Sequence, residues 1–265
     1  MLAGREILKT IRVSGATCAE EFNLRAAVIA YSSTHNSTVG ASVVKHRDDL
    51  AATDVKWSHG NYDSHIATAC PNGRIMLYDV NRAGVESARL DEHNRQVHKL
   101  AFNPHQGYLM LSASQDATMR LWDLRAMQGG RNVLTFRSAF RYKGNAEGIR
   151  DVKWSPTDGT GFACATDAGV VQRWDFRKDK APLQKINAHK KVCLSIDWHP
   201  DGRHLASSGT DKQVQVWDLA SSARRQNSPW SFRAPQAVTK VRWRPVGWHT
   251  GGHGPGSWET SQVVT

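Results

Sequence analysis

The chain has 265 residues, 40% hydrophobic and 22% charged, with 21 Gly, 9 Pro and ten Trp, which describes a folded, turn-rich protein and excludes a disordered tail poor in large apolar residues. Its formal net charge of +11, from 35 Lys and Arg against 24 Asp and Glu, raises the question of a polyanion or acidic membrane surface. The basic residues are scattered, however, and the densest runs, Arg177-Lys178-Asp179-Lys180 and Lys190-Lys191, are short and turn-like, so a nucleic-acid partner is not expected.

In chain order, the start MLAGREILKTIRV alternates apolar with charged residues instead of forming the apolar core of a secretory signal. No window reaches the ~18 apolar residues that a membrane-spanning helix needs. REILKTIRV and EEFNLR read as the third and fourth strands of a first unit. Residues 26–51 are rich in Ser and Thr and read as a long surface loop inserted in the fold.

Beyond that loop two ladders of aromatics interleave. One runs Trp57, Phe102, Trp154, Trp198, Trp243, in steps of 45, 52, 44 and 45 residues; the other runs Tyr78, Trp122, Trp174, Trp217, in steps of 44, 52 and 43. The same unit therefore recurs, with one insertion that both ladders register. Each unit has an alternating apolar segment ending in an aromatic (VHKLAF, IRDVKW, CLSIDW, TKVRW), a small-residue strand (LMLSAS, HLASSG), a tight turn and a strand closing on Trp-Asp. Period-2 alternation between turn residues predicts short antiparallel strands. Complete units fall near 52–90, 97–136, 149–187 and 192–234, and VTKVRW opens another. The insertion, RSAFRYKGNAEG, sets Arg137, Arg141 and Lys143 among aromatics, a mixture suited to acidic or phosphorylated partners. Residues 246–265 form a Gly-rich loop and a further strand of the interrupted last unit.

A unit of this length ending in Trp-Asp resembles the WD-repeat blade, four antiparallel strands arranged radially around a channel. The expected fold is all-β: a WD-repeat β-propeller over residues 1–245, incomplete, with four full and two partial blades of the usual seven. In the two best units an imidazole (His93, His189), a hydroxyl (Ser112, Ser207), a carboxylate (Asp116, Asp211) and an indole N–H (Trp122, Trp217) are spaced to form a buried hydrogen-bonded chain. These residues imitate a catalytic triad in type, but their expected role is structural. Asn72-Gly73 and Ala168-Gly169 replace the turn carboxylate elsewhere, which puts the network in doubt there.

No phosphate loop, dinucleotide fingerprint, HExxH or nucleophile elbow is present, so no enzyme, cofactor or small-molecule substrate is expected. Cys18, Cys70, Cys164 and Cys193 lie far apart and read as small buried residues, and His249 and His253 lack cysteine or carboxylate support for a metal.

The order AGREILKTIRV, EEFNLR, ATDVKW, NGRIMLYDV, SASQDATMRLWDLR, EGIRDVKWSPTDG, INAHKKVCLSIDWHPDGRHLASSGTDKQVQVWDL, PQAVTKVRWRP resembles the N-terminal propeller of one family. That family holds WD repeat-containing protein twenty-four and its fungal counterpart, restriction of telomere capping protein one. The resemblance implies a non-catalytic scaffold in the SEA complex of fungi, called GATOR in animals, with other WD-repeat subunits as partners. It implies a cytoplasmic protein held peripherally on the vacuole or lysosome through that complex, and a part in relaying amino-acid supply to target-of-rapamycin signalling. The family's cysteine-rich zinc domain is not among these residues. A second reading rests on Arg125 and Arg177, each two residues after a Trp-Asp: the pattern looks like the box by which substrate receptors dock on cullin-four ubiquitin ligases.

Overall fold

The computed structural model describes residues 11–12, 26–31, 40–45, 52–79, 86–125, 133–137, 141–142, 145–178, 180–220 and 230–243. Strands dominate them, and the described residues contain no α-helix; Gly60–Tyr62 form a 3-10 turn. Near the start, β1 (Ile11–Arg12), β2 (Ala26–Tyr31) and β3 (Gly40–Lys45) form a three-stranded antiparallel sheet. This corrects the expectation for residues 26–51: AAVIAY and GASVVK pair over six residues each, Ala26 opposite Lys45 and Tyr31 opposite Gly40. Their apolar and β-branched runs outweigh the Ser/Thr content, which is concentrated in the connection. EEFNLR and residues 246–265 lie outside the described residues.

Four four-stranded antiparallel sheets follow. Blade one is β4 (Asp54–Trp57), β5 (His65–Ala69), β6 (Ile75–Asp79) and β7 (Glu86–Leu90); blade two is β8 (Val97–Phe102), β9 (Leu109–Ser114), β10 (Thr118–Asp123) and β11 (Val133–Arg137). In the insertion β12 (Arg141–Tyr142) and β13 (Asn145–Ala146) make a two-residue ladder. Blade three is β14 (Ile149–Trp154), β15 (Gly161–Thr166), β16 (Val170–Asp175) and β17 (Gln184–Asn187); blade four is β18 (Cys193–Trp198), β19 (His204–Gly209), β20 (Gln213–Asp218) and β21 (Trp230–Arg233). The first strands of successive blades lie against one another, which makes them the inner wall.

The core lies between sheets. Leu111, Met119 and Leu121 of blade two pack on Val152, Trp154 and Phe162 of blade three, and Val171 and Ile186 of blade three on Ile196, Trp198 and Leu205 of blade four. Because blades two and three are covered on both faces, their second strands have no polar side: LMLSAS and GFACAT are buried at every position. Small residues suit that place, and buried Cys164 is among them; buried Cys70 directly follows β5 and buried Cys193 opens the first strand of blade four. The VTKVRW segment departs from expectation, having no strand partner among the described residues. Val238 and Val241 nevertheless pack on Val214 of blade four, where the first strand of a following blade would stand.

Blades are also joined by polar bonds. Asp54 Oδ2 accepts from the Leu100 N–H at 3.0 Å, Asp151 Oδ2 from Ile196 N–H at 3.0 Å, and Asp197 Oδ2 from Trp243 N–H at 2.9 Å. Indole N–H groups of Trp154, Trp198 and Trp243 donate to the carbonyls of Ala101, Lys153 and Asp197 at 2.9, 3.2 and 3.0 Å. In each pair the acceptor stands one residue before the equivalent aromatic of the preceding unit, so one contact repeats around the wall.

The second-to-third-strand turns solve a common problem in two ways. Each needs a residue at positive φ: Gly73 (+89°) and Gly169 (+79°) in blades one and three, Ala117 (68°) and Lys212 (65°) in blades two and four. At the glycines a Cβ would stand 2.3 Å from the His93 carbonyl oxygen and 2.2 Å from that of His189. Gly73→Ala therefore combines a left-handed conformation, worth about 1–2 kcal/mol, with a backbone clash. In urea unfolding it is expected to lower the free energy of unfolding by more than that conformational cost alone, while Ala117→Gly changes it by less than about 1 kcal/mol, since relieved strain offsets added chain entropy.

Candidate interaction surface

Two buried polar chains stiffen the surface loops. In blade two, the Trp122 indole N–H donates to Ser112 Oγ at 2.9 Å, Ser112 Oγ lies 2.7 Å from His93 Nε2, and His93 Nδ1 lies 2.8 Å from Asp116 Oδ2. Asp116 also accepts from the backbone N–H groups of Asn94 and Thr118 at 3.1 and 2.9 Å, tying the loop before the blade to the turn within it. Blade four repeats this: Trp217 to Ser207 at 2.9 Å, Ser207 to His189 Nε2 at 2.9 Å, and His189 Nδ1 to Asp211 at 2.9 Å. One tautomer satisfies each chain, with the ring proton on Nδ1 facing the carboxylate and Nε2 accepting from the serine. The serines and rings are buried inside the sheet, where they serve the fold. Burial opposes the charge on Asp116, but hydrogen bonds from His93 and Thr118 outweigh it and hold the carboxyl well below its ordinary range. Burial lowers His189, partly offset by Asp211.

Blades one and three use other partners. In blade three Cys164 stands where blades two and four have Ser, and the Trp174 N–H donates instead to Gln172 Oε1 at 3.2 Å. In blade one Asn72 Oδ1 accepts from the Arg74 N–H at 3.1 Å, a local turn bond in place of the longer chain. Gln172 carries no motif that marks it in the sequence; only its position two residues before the indole does.

The two Trp-Asp-x-Arg arginines fold back on their own aspartates. Arg125 Nε and Nη2 donate to Asp123 at 3.0 and 2.6 Å, with the guanidinium 3.8 Å above the Tyr108 ring. Arg177 does the same with Asp175 at 3.0 and 2.7 Å. Blade four reaches the same pairing from elsewhere in the sequence: Arg203 Nε donates to Asp218 at 2.8 Å, and that bond holds the Asp218 carboxyl at about 2. These pairs finish the strand ends. Of the insertion's basic residues, Arg137 and Arg141 lie within β11 and β12, and Lys143 falls outside the described residues.

Sequence reasoning missed two surface features of blade four. The turn His199–His204 brings both imidazoles to one carboxylate, with Nδ1 of His204 and His199 at 2.6 and 3.0 Å from Asp201 Oδ2. On the outermost strand β21, Trp230 and Phe232 are 60% and 49% exposed, whereas Leu90 and Ile186, at the position of Phe232 in blades one and three, are buried. The same sheet position is buried in two blades and exposed in a third, so the cover beside the blade, not the residue's place within the sheet, makes the difference.

Asp211→Ala is expected to cost roughly 1–3 kcal/mol by leaving His189 and two backbone donors unpaired, against about 0–1 kcal/mol for Asp91→Ala, whose carboxylate makes an exposed pair with Arg74. Paired denaturant melts decide it. The pH dependence follows from the directions of shift. Asp116 has a depressed folded pKa, so its contribution is complete above the unfolded value of ~3.9 and is lost as pH falls below it. His189, neutral when folded, likewise contributes fully above ~6.5 and less below. Acidification from pH 7 is therefore expected to lower the melting temperature, and Asp116→Asn to flatten the steepest part of that fall, below pH 4.

Residues 84–123 and 180–218 match the family described as WD domain, G-beta repeat. The chain is 32% identical over 248 residues to the GATOR2 complex protein WDR24 of Xenopus laevis and of Homo sapiens, a match covering 92% of this chain and 28% of each relative. It is 30% identical to Restriction of telomere capping protein 1 of Lachancea thermotolerans over 71% of this chain and 15% of that protein. The chain thus spans under a third of the length of these relatives. Among solved structures, a chain of the Crystal Structure of Mitotic Checkpoint Complex superposes with a TM-score of 0.67 at 23% identity, covering 83% of this chain and 64% of that one, which is a likeness of fold. The recurring blades, the repeat match and these relatives agree: the chain is a WD-repeat β-propeller protein of the WDR24 and Restriction of telomere capping protein 1 family.

Proposed function

We propose that this chain is a non-catalytic scaffold of a GATOR2- or SEA-type complex, presenting rigid loops and strand ends to other protein subunits. The observation that carries this reading is its likeness along 92% of its length to proteins named as GATOR2 complex members. The structure supports it by what its polar clusters do: the groups that imitate a triad are shut inside the sheet, where they pin loops in place. In this reading the protein acts at the vacuole or lysosome membrane through its complex, in amino-acid signalling to target of rapamycin. No helix among the described residues is long and apolar enough to cross a membrane. Docking on a cullin-four ligase is not favoured, since Arg125 and Arg177 are engaged by their own Asp123 and Asp175.

The test is affinity capture of tagged chain from cells. Other GATOR2- or SEA-type subunits are expected to co-purify, and Arg125→Ala with Arg177→Ala to leave that recovery unchanged. Capture of the cullin adaptor in their place, lost in the double variant, would reverse the assignment.

A further inference from the structure

The inner wall carries more positive charge than it answers. Lys56, Lys153 and Arg242 stand one residue before the inner aromatic of their units, and Lys99 and Lys240 three residues before it. In the strands that carry Lys56, Lys99 and Lys153 these positions share one face, and the segment that carries Lys240 and Arg242 meets the same wall where the Trp243 N–H donates to Asp197 Oδ2. Asp54 lies 3.3 Å from Lys56 and 3.6 Å from Lys99, and Asp197 lies 3.7 Å from Lys153 and 3.1 Å from Arg242, so each carboxylate is divided between two cations from different segments. Asp151, the third carboxylate of this face, is fully buried and turned toward blade four, accepting from Ser195 Oγ and the Ile196 N–H at 3.1 and 3.0 Å. Lys240 has no ion pair among the described residues.

The cations also oppose one another across the wall. Lys240, beyond blade four and exposed, is pushed toward its neutral form first by partial desolvation and then by Arg242, Lys99 and Lys56, the last two from blades two and one. Lys153 is lowered chiefly by burial; Asp151 supports its charge while Arg242 and Lys56 oppose it. Like charges gathered from four chain segments in a partly desolvated place are relieved by an anion among them.

We propose that Lys56, Lys99, Lys153, Lys240 and Arg242 form a binding site on the inner wall for a small, multiply charged phosphate anion. Four ammonium groups and one guanidinium can meet several phosphate oxygens at once. A duplex nucleic acid would need an outward basic stripe, which the scattered surface charges do not make.

The probe is tripolyphosphate, titrated into the chain by isothermal calorimetry. One saturable site is expected. Lys240→Met and Lys56→Met should each weaken it about tenfold, the loss of one charge-assisted contact, while Lys240→Arg retains it. The exposed pair Lys178→Met with Lys180→Met, which also removes positive charge, should leave affinity unchanged. Lys240 is exposed and outside any strand, so its variants remain readable should Lys56→Met fail to fold. Absence of binding, indifference to Lys240→Met, or an equal loss in the Lys178/Lys180 variant would overturn the site, the last by showing general attraction to a basic surface.

Discussion

A sheet has two edges, and in a radial arrangement one of them faces the middle of the molecule, where no further strand can join it. The backbone donors of that inner edge still need partners. Here they find them across blade boundaries: the carboxylates of Asp54, Asp151 and Asp197 accept from N–H groups of the next inner segment. The cost is visible at Asp151, whose carboxyl is pushed up by burial despite Lys153 and the Ile196 N–H pulling it down. A buried carboxylate is tolerated because it answers a backbone donor and the Ser195 hydroxyl together. Apolar packing then closes over this seam, with the inner aromatics reaching back to the preceding wall.

The four blades show how much variation this frame absorbs. In blades two and four an aspartate anchors the turn and a non-glycine residue accepts the left-handed conformation; in blades one and three the aspartate is absent and glycine takes the strained position. The indole N–H is served by serine in two blades and by Gln172 in another. What persists is that the indole N–H finds an oxygen and the turn finds a residue able to hold positive φ. The residue types supplying them do not persist.

The aromatic ladders make the four blades legible in the sequence: units near 52–90, 97–136, 149–187 and 192–234 coincide with sheets spanning 54–90, 97–137, 149–187 and 193–233. Residues 26–51 were harder, because polar residues in their connection hid two short apolar runs that pair with each other. VTKVRW has the pattern of a first strand and packs like one, but a strand is defined by its partner, which no local pattern supplies. Arg125 and Arg177 stood out as an interaction motif, yet a guanidinium two residues from a carboxylate at a strand end reaches that carboxylate first. The inner-wall lysines carry no motif, and they come together only when units some 45 residues apart are stacked in register.

The bonds that lock one blade to the next span similar lengths of chain, 46 residues from Asp54 to Leu100, 53 from Ala101 to Trp154 across the insertion, and 45 from Asp151 to Ile196. Closing a loop costs entropy that rises with the logarithm of its length, and here that length stays similar from one blade to the next. Assembly is therefore a series of similar closures, each possible as soon as the following inner strand exists. On the ribosome, one blade can dock on its predecessor while the next is still being synthesised, so that chain growth itself sets the order of folding.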